Sequence, residues 1–367
     1  MSYHSKFLRN FFSYTAACML VVLGVNAFVD PYGIRKAGGR VANDRLVKAI
    51  KVSQIKPKVV FLGSSGVARG LNPSHTAFSE SRPVYNLSLL GASIYEIKRY
   101  FDYAVAHNKL EHAIIGLDFY AFNDSREVRP GFSETRLNSQ YISPKDLLGI
   151  YLSLDSLNLV MNPDQRGYYF ADDGTYEHRI QIGIERQFEI KLIEDFTQSE
   201  QMYWNYKFSE ATIGHFQSIV ESADSEGVRV DIFLPPLHAT LFYSAMMSNY
   251  WPTYEKWLKR IVNIHPVWDF SGCNTITTEP ISGEMNWFED PSHYTEEVGD
   301  LILNKLSEAE SGKSLRDFGQ YVTSENVNEH LQQVRSQCQK WSNSNPNIMH
   351  WLEELNLINR MKISTAE

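Results

Sequence analysis

The sequence contains few cysteines, and their spacing excludes the common metal-binding motifs. Only three occur in 367 residues (Cys18, Cys273 and Cys338), and no two of them form a C-x-x-C pair. Cys18 lies in an apolar segment, so only Cys273 and Cys338 are left as a pair that could form a disulfide. Nothing in their spacing requires one, and we expect both to be thiols.

The sequence also lacks basic charge and internal repetition. The net charge is −8 and the pI is about 5.8, with no basic stripe, which argues against nucleic acid as a partner. We find no repeat and no low-complexity tract. Hydrophobic residues make up 43% of the chain and aromatic residues 13%, so the composition is that of a folded protein with a substantial core. No metal or organic cofactor is expected.

One long apolar run is present, close to the amino terminus. Residues 11–29 (FFSYTAACMLVVLGVNAFV) carry no charge, and their length approaches the ~20 residues that a helix needs to cross a bilayer. Lys6 and Arg9 precede the run, as in a signal anchor. Cleavage after Ala27 and a buried helix of a soluble protein are the alternatives. Basic residues also follow the run, so the positive-inside rule leaves its orientation open.

The rest of the chain alternates short apolar runs with helical periods. After an anchor over 1–30, we predict a linker and first helix over 31–57 and an α/β domain over 58–310. This domain carries an insertion at about 120–207, and a helical extension follows over 311–367. The apolar runs predicted as buried strands are 58–63, 84–89, 113–118, 228–234 and 265–270. This alternation predicts an α/β fold with a mostly parallel sheet flanked by helices.

Two serines follow the first predicted strand. The stretch VVFLGSSGVARGLNP places Ser64 and Ser65 directly after the apolar run. Glycine and serine often form a simple turn at such a point. The alternative is a nucleophile at the carboxyl edge of the sheet, where open α/β folds place their sites.

An aspartate and a histidine stand three residues apart near the end of the predicted domain. A serine needs a base to remove its proton, and that base needs a carboxylate to orient it. In FEDPSHYT, Asp290 can reach Nδ1 of His293 across a turn, which leaves Nε2 for the serine. By themselves these residues could be a surface pair. Their position at another strand end of the same α/β plan favours a catalytic role.

Three stretches resemble one known superfamily. FLGSSGVARGLNP, YNLSLLGAS and DPSHYT are similar to motifs of the SGNH/GDSL hydrolases, and more narrowly of membrane-anchored bacterial members linked to acylation of cell-surface glycans. The resemblance covers roughly residues 58–310. It implies an SGNH-hydrolase-like, flavodoxin-like fold with Ser65 as nucleophile and with Asp290 and His293 completing the triad. It also implies that the backbone N–H of Gly91 belongs to the oxyanion hole, and the N–H of Ser65 could supply a second donor.

The third motif of that superfamily, G-x-N-D, is altered here. It supplies an asparagine side chain to the oxyanion, whereas this chain reads IIGLDFYAFND, with Asp118 nearest that position. An ionised carboxylate cannot donate a hydrogen bond, and Asn123 could substitute only if the chain turns back. Loss of one such donor costs about 2.7–4 kcal/mol. We therefore expect slow turnover or dependence on a partner.

Besides Asp118 of the altered motif, which could bind substrate, two further side chains are candidates for this role. His238 follows IFLPPL at the same predicted sheet edge and could bind substrate or act as a second base. Arg69, four residues after Ser65, could hold a carboxylate or a phosphate. A turn histidine and a surface ion pair are the simpler alternatives.

The resemblance and the predicted triad together suggest acyl transfer through an acyl-enzyme on Ser65. The expected reaction is O-acylation, with acetyl as the expected group, of a cell-surface glycan. A membrane-bound acyl donor protein is the expected partner. The resemblance places the catalytic domain on the periplasmic side of the bacterial inner membrane. A glycan ester hydrolase and a catalytically silent glycan-binding subunit are the alternatives.

Overall fold

The protein is described here from a computed structural model. The structure describes residues 3–30, 32–35, 39–40, 43–139, 141–154, 169–177, 183–197, 202–203, 206–307, 316–355 and 357. The predicted insertion at about 120–207 falls partly outside these residues.

A six-stranded sheet forms the centre of the fold. Its strands lie in the spatial order β6-β5-β4-β3-β1-β2 once they are numbered along the chain. Strands β1 to β5 are parallel and β6 is antiparallel to β5. The strands are β1 Val59–Leu62, β2 Val84–Asn86, β3 His112–Gly116, β4 Arg229–Leu234, β5 Val267–Asp269 and β6 Gln320–Val322. The parallel strands thus have the 2-1-3-4-5 order of flavodoxin-like folds, and the prediction of a mostly parallel α/β sheet is confirmed.

Helices cover both faces of this sheet. The helices are α1 Tyr3–Val29, α2 Asp44–Ile55, α3 Ser65–Gly70, α4 Ile94–His107, α5 Glu134–Leu137, α6 Pro144–Tyr151, α7 Ile184–Thr197, α8 Glu210–Glu226, α9 Ala239–Phe242, α10 Trp251–Ile264, α11 Glu296–Leu306, α12 Val327–Ser344 and α13 Pro346–Glu354. A π-helix, Tyr243–Tyr250, connects α9 to α10, and Thr76–Phe78 and Phe119–Phe122 are 3₁₀ turns. Outside the main sheet lie a hairpin, Phe288–Asp290 with His293–Tyr294, and a small sheet of Gly39–Arg40, Tyr169–Phe170 and Tyr176–Glu177.

Strand β1 shows why both faces are covered. All four of its residues are buried, and alternate side chains enter different hydrophobic clusters. Val60 and Leu62 pack in one cluster, whereas Val59 and Phe61 pack in the other. A strand that is apolar on both sides is stable only between two layers, which is the arrangement of parallel sheets.

The amino-terminal helix contacts the body of the protein at its end. Helix α1 is long and apolar enough to cross a membrane, a test that a signal sequence near the amino terminus also passes. The Asn26 side chain is buried and donates hydrogen bonds to the carbonyls of Tyr151 (2.8 Å) and Ser153 (3.1 Å). The polar residue within the apolar run therefore joins α1 to the end of α6.

The carboxyl-terminal extension is helical, as predicted, but it also adds the edge strand β6. Three residues are too short a run for the sequence to show alternation, and Tyr321 at the centre of β6 is exposed. Helix α12 buries an apolar stripe of Val327, Leu331, Val334 and Cys338.

The expectation that Cys273 and Cys338 are thiols is wrong. The two residues form a disulfide with their Cα atoms 5.0 Å apart. The buried stripe of α12 packs on the core beside the loop after β5, where Val334 contacts the backbone at Gly272. This packing brings together two cysteines that are 65 residues apart in sequence. Cys18 is free and exposed.

Candidate active site

Ser65 lies at the point of the sheet where parallel α/β folds bind their ligands. It is the first residue of α3 and follows β1 after only Gly63 and Ser64. Strand β1 has β2 on one side and β3 on the other. The crossover from β1 runs to one side of β1, and the next crossover, from β2, runs back past β1 to its other side. A crevice opens beside the carboxyl end of a strand at such a switch point.

Ser65, His293 and Asp290 form a continuous chain of hydrogen bonds. The Ser65 Oγ lies 2.8 Å from the His293 Nε2, and the His293 Nδ1 lies 2.6 Å from the Asp290 Oδ2. Asp290 and His293 are both buried. With a proton on Nδ1 held by the carboxylate, Nε2 is left to accept the serine proton. The residues thus have the connectivity of a serine nucleophile, its base and an orienting acid.

The hairpin that carries Asp290 and His293 is fixed on both sides. The Asp290 Oδ1 accepts a hydrogen bond from the Ser292 N–H (2.8 Å), which closes the turn between the two strands. On one side, the Tyr294 ring packs against α3 so closely that a Cβ on Gly70 would lie 2.0 Å from it. On the other, the His238 N–H donates to the Pro291 carbonyl (3.0 Å). These contacts set the height of His293 above Ser65.

Cationic groups surround the Asp–His pair. Arg69 lies 3.2 Å from the Glu289 carboxylate and 3.6 Å from that of Asp290. Burial alone would raise the pKa of Asp290, but His293, Arg69 and Lys191 together hold that pKa well below its usual range. For His293, burial and then the Arg69 charge lower the pKa from 6.5 to about 4, against the opposing effect of Asp290. The imidazole is therefore neutral, and able to act as a base, across the physiological range.

Helix α7 of the insertion forms one wall of the site. Its Lys191 pairs with Asp195 (2.7 Å), and Asp195 in turn accepts a hydrogen bond from the Ser292 hydroxyl (2.8 Å). Gln187 and Glu194 lie on the same face at helical spacing. The sequence analysis did not identify these residues. The only signal for them was the i, i+4 Lys–Asp pair within a helical period.

The loop after β2 presents Gly91 to the same site. Buried Arg45 donates from Nη2 to the Leu90 carbonyl (2.9 Å), and Asp44 accepts from the Leu90 N–H (3.0 Å). The C=O and N–H of a trans peptide point in opposite directions, so a Leu90 carbonyl held by Arg45 turns the Gly91 N–H the other way. Gly91 has φ +55°, a conformation that suits glycine.

The Ser65–His293–Asp290 chain, Gly91 and the inner face of α7 line one cavity of about 480 Å³. Five of the predicted residues come together there: Ser65, Arg69, Gly91, Asp290 and His293. Further lining residues that sequence reasoning missed include Leu90, Tyr120, Arg129, Tyr176, Gln187, Ile190, Lys191, Glu194, Asp195 and Met202. The cavity therefore joins the ends of β1 and β2, the hairpin and the insertion.

Three predicted site residues lie outside this lining. Asp118 is buried, and burial raises its pKa to about 6 against the effects of Ser64 and Arg126. The Asn123 carboxamide donates to the Met202 carbonyl (3.2 Å) and accepts from the Ser125 and Lys207 N–H groups (3.1 Å each). The hydrogen bonds of Asn123 tie two chain segments together and give no support to a role of its carboxamide in an oxyanion hole.

His238 has both ring nitrogens occupied. Nδ1 lies 2.8 Å from the Thr240 hydroxyl and Nε2 lies 2.8 Å from the Glu279 carbonyl. Burial lowers the pKa of His238 to about 4. The residue caps α9 and borders a separate cavity between α7 and the carboxyl-terminal helices. The geometry thus fits the simpler expectation of a structural turn histidine.

Comparisons with known proteins find a likeness in structure but none in sequence. No protein-family model matches the chain, and no curated protein matches it by sequence. Among solved structures, a presumptive acylhydrolase from Bacteroides fragilis is similar, with 13% identity, 77% of this chain and 95% of that chain covered, and a TM-score of 0.36. A likeness at this level carries no argument about chemistry.

Proposed function

We propose that this protein is a serine-dependent acyl-transfer enzyme that forms an acyl-enzyme on Ser65. The observation that carries the proposal is the Ser65–His293–Asp290 chain of hydrogen bonds at the edge of a 480 Å³ cavity. A serine is activated in this way when it attacks an acyl carbonyl. The resemblance of the sequence to SGNH/GDSL hydrolases agrees with this reading.

The first half of the reaction transfers the acyl group to the enzyme. The Ser65 Oγ attacks the carbonyl carbon of an ester as His293 Nε2 takes the serine proton. The oxyanion that forms is stabilised by the N–H groups of Ser65 and Gly91. When the tetrahedral intermediate collapses, His293 gives its proton to the leaving oxygen, and the acyl group remains on Ser65.

The second half decides between transfer and hydrolysis. His293 removes a proton from an incoming hydroxyl, whose oxygen attacks the acyl-serine. When the bond between the acyl group and the Ser65 Oγ breaks, His293 returns the proton to that oxygen and restores Ser65. We propose that this hydroxyl belongs to a cell-surface glycan, so that the protein is an O-acyltransferase, with acetyl as the expected group. The Gln187 Oε1 supports this choice, because it is a buried acceptor on a cavity-lining residue without a hydrogen-bond partner in the described chain. A sugar hydroxyl would supply the missing donor.

The structure also bears on where such a reaction would occur. A disulfide between Cys273 and Cys338 is typical of an oxidising compartment. Together with the apolar helix α1, it supports a catalytic domain on the periplasmic side of a bacterial inner membrane, held by a single span. A membrane-bound acyl donor protein is then the proposed source of the acyl group, as the resemblance suggests.

A fluorophosphonate probe tests the nucleophile. We expect the full chain to be labelled on Ser65, and Ser65→Ala to lose labelling completely. Ser64→Ala is the matched control, since Ser64 is a buried neighbour outside the cavity lining, and it should keep much of the labelling. Equal loss in both variants, or labelling at another residue, would contradict the assignment.

The same protein separates transfer from hydrolysis. We expect slow release of p-nitrophenol from p-nitrophenyl acetate, faster release when an acceptor oligosaccharide is added, and an acetylated sugar by mass spectrometry. Brisk release that no sugar accelerates would identify an esterase. Absence of both labelling and turnover, with glycan binding retained, would identify a silent binding subunit.

A further inference from the structure

The charges that line the cavity are unequally paired. Three cationic side chains line it: Arg69, Arg129 and Lys191. Arg69 pairs with Glu289 and Asp290, and Lys191 pairs with Asp195. Within the described part of the chain, Arg129 has no carboxylate in ion-pair distance, and its side chain is exposed.

Arg129 also packs against the Gly91 loop of the cavity. A Cβ placed on Gly91 would lie 2.9 Å from both the Arg129 Cζ and Nε, so the guanidinium rests on the residue that we propose as an oxyanion donor. Only glycine leaves room for it there. The loop of residues 85–91 and the segment that carries Arg129 thus meet in the lining of the cavity that also contains Ser65.

A second guanidinium lies beneath the first. The Arg126 Nη2 donates to the Gly91 carbonyl and lies 3.0 Å from the same hypothetical Cβ. Arg126 is buried, and its guanidinium lies 4.8 Å from the centre of the Tyr120 ring. Burial and then the Arg129 charge lower the pKa of Arg126, whereas Glu96 and Asp118 act in the opposite direction. Two neighbouring guanidinium groups repel each other, and an anion between or above them relieves that repulsion.

We infer that Arg129, supported by Arg126, binds an anionic group of the substrate, a carboxylate or a phosphate, beside the nucleophile. The inference rests on the proposed function, because it names the substrate class of the same site. On the α7 wall, Glu194 and Asp195 are negative. An anionic substrate is therefore bound with its charge towards the Gly91 loop and with its neutral hydroxyls towards α7, where Gln187 lies.

Calorimetric binding to the full chain carrying Ser65→Ala tests this without turnover. The three probes are trigalacturonate, its uncharged methyl ester, and a trisaccharide whose only charged group is one phosphate. We expect an anionic probe to bind at least about tenfold more tightly than the methyl ester, since a charge-assisted contact is lost in the ester. Added salt should weaken only the anionic probe. The carboxylate and phosphate arms show which anion is preferred.

The variant Arg129→Gln should remove this preference while leaving the methyl ester bound as before. Arg260→Gln is the matched control, because Arg260 is an exposed arginine that pairs with Glu210 and does not line the cavity. Equal affinity for charged and neutral probes, no binding of either anionic probe, or a preference that survives in Arg129→Gln would overturn the inference. Fluorophosphonate labelling of the unmodified chain keeps the two questions apart. Normal labelling of the unmodified chain, when Ser65→Ala shows no anion preference, refutes only the subsite, whereas failed labelling of the unmodified chain refutes the proposed reaction.

Discussion

At the scale of single residues, the charge around His293 decides the pH range of the proposed base. Burial and Arg69 lower the pKa of His293 to about 4, although Asp290 acts in the opposite direction. A base is active in its neutral form, so its activity is lost as pH falls through its own pKa. The site is therefore suited to work well below neutral pH, where an ordinary histidine would already be protonated.

We predict that Arg69→Gln moves the acidic limb of kcat/KM to higher pH. Loss of the positive charge removes one of the causes that lower the pKa of His293, so the imidazole is protonated at a higher pH than in the unmodified chain. The measurement is the pH profile of p-nitrophenyl acetate turnover between pH 4 and 8. We expect the variant to lose more activity at pH 5 than at pH 8. Parallel profiles would show that Arg69 does not tune the base.

Loss of activity at low pH can also arise from loss of folding stability. His238 and His293 both have a pKa near 4 when folded, below their ordinary value of 6.5. The unfolded chain therefore binds more protons between these values, and the stability that both residues contribute above pH 6.5 is lost as pH falls towards 4. Circular dichroism at each pH separates unfolding from titration of the base.

At the scale of elements, the hairpin that carries Asp290 and His293 is positioned by its contact with a short glycine-rich helix. A Cβ on Gly70 of helix α3 would lie 2.0 Å from the Tyr294 ring, and a Cβ on Gly299 would lie 1.6 Å from the Gly70 carbonyl oxygen. Such distances leave no space for a methyl group. The position of His293 next to Tyr294 thus depends on two residues that have no side chain.

We predict that Gly70→Ala both destabilises the protein and weakens labelling of Ser65. The added methyl group would lie 2.0 Å from the Tyr294 ring, and overpacking of this kind costs about 1–3 kcal/mol. Displacement of Tyr294 carries His293 away from Ser65, so the rate of fluorophosphonate labelling should fall by about tenfold or more at a temperature where the variant is folded.

Gly214→Ala is the control for this change. Gly214 is an exposed residue within α8, and no heavy atom lies within 4 Å of its added Cβ. Alanine there should raise stability by about 0.5–1 kcal/mol and leave labelling unchanged. If Gly70→Ala labels at the normal rate while folded, the hairpin is not positioned through this contact.

The elements were predictable from the sequence where a local pattern defines them. The five parallel strands follow from apolar runs, and α4 begins at a Ser93–Glu96 capping box, a pattern that is visible in the sequence. The proximity of Ser65 to the Asp–His pair followed from the order of motifs along an α/β chain. In contrast, the edge strand β6 has three residues and no alternating pattern, so local reasoning could not find it.

The surroundings of the proposed triad depended on contacts between distant segments. Arg45 lies in the region predicted only as a linker and first helix, yet its buried guanidinium holds the Leu90 carbonyl and pairs with Glu96 (2.9 Å). Lys191 and Asp195 belong to an insertion whose path is set by tertiary packing. No spacing rule links these residues to Ser65. Only the folded chain brings Lys191 and Asp195 to the cavity and Arg45 to the loop that borders it.

At the scale of the whole molecule, one covalent bond ties the carboxyl-terminal extension to the α/β core. The extension supplies the edge strand β6 and the helices α12 and α13, whose apolar side chains join the main hydrophobic cluster. The disulfide between Cys273 and Cys338 closes a loop of 65 residues from the core to α12. Closing a loop of this size restricts the unfolded chain and stabilises a protein by about 2–5 kcal/mol.

We predict that replacing both cysteines by serine lowers the free energy of unfolding by about this amount and loosens the extension first. Hydrogen exchange should rise in residues 316–355, whereas labelling of Ser65 should persist below the melting temperature, because the residues lining the proposed site lie outside α12. A reductant should lower the melting temperature of the unmodified chain but not that of the double variant.

Cys18→Ser is the control and should change neither property, since Cys18 is exposed and unpaired. Alkylation of the non-reduced protein should then modify one thiol, at Cys18. Modification of all three would show that the bond does not form in the cell, and the support that it gives to an oxidising compartment would be lost with it.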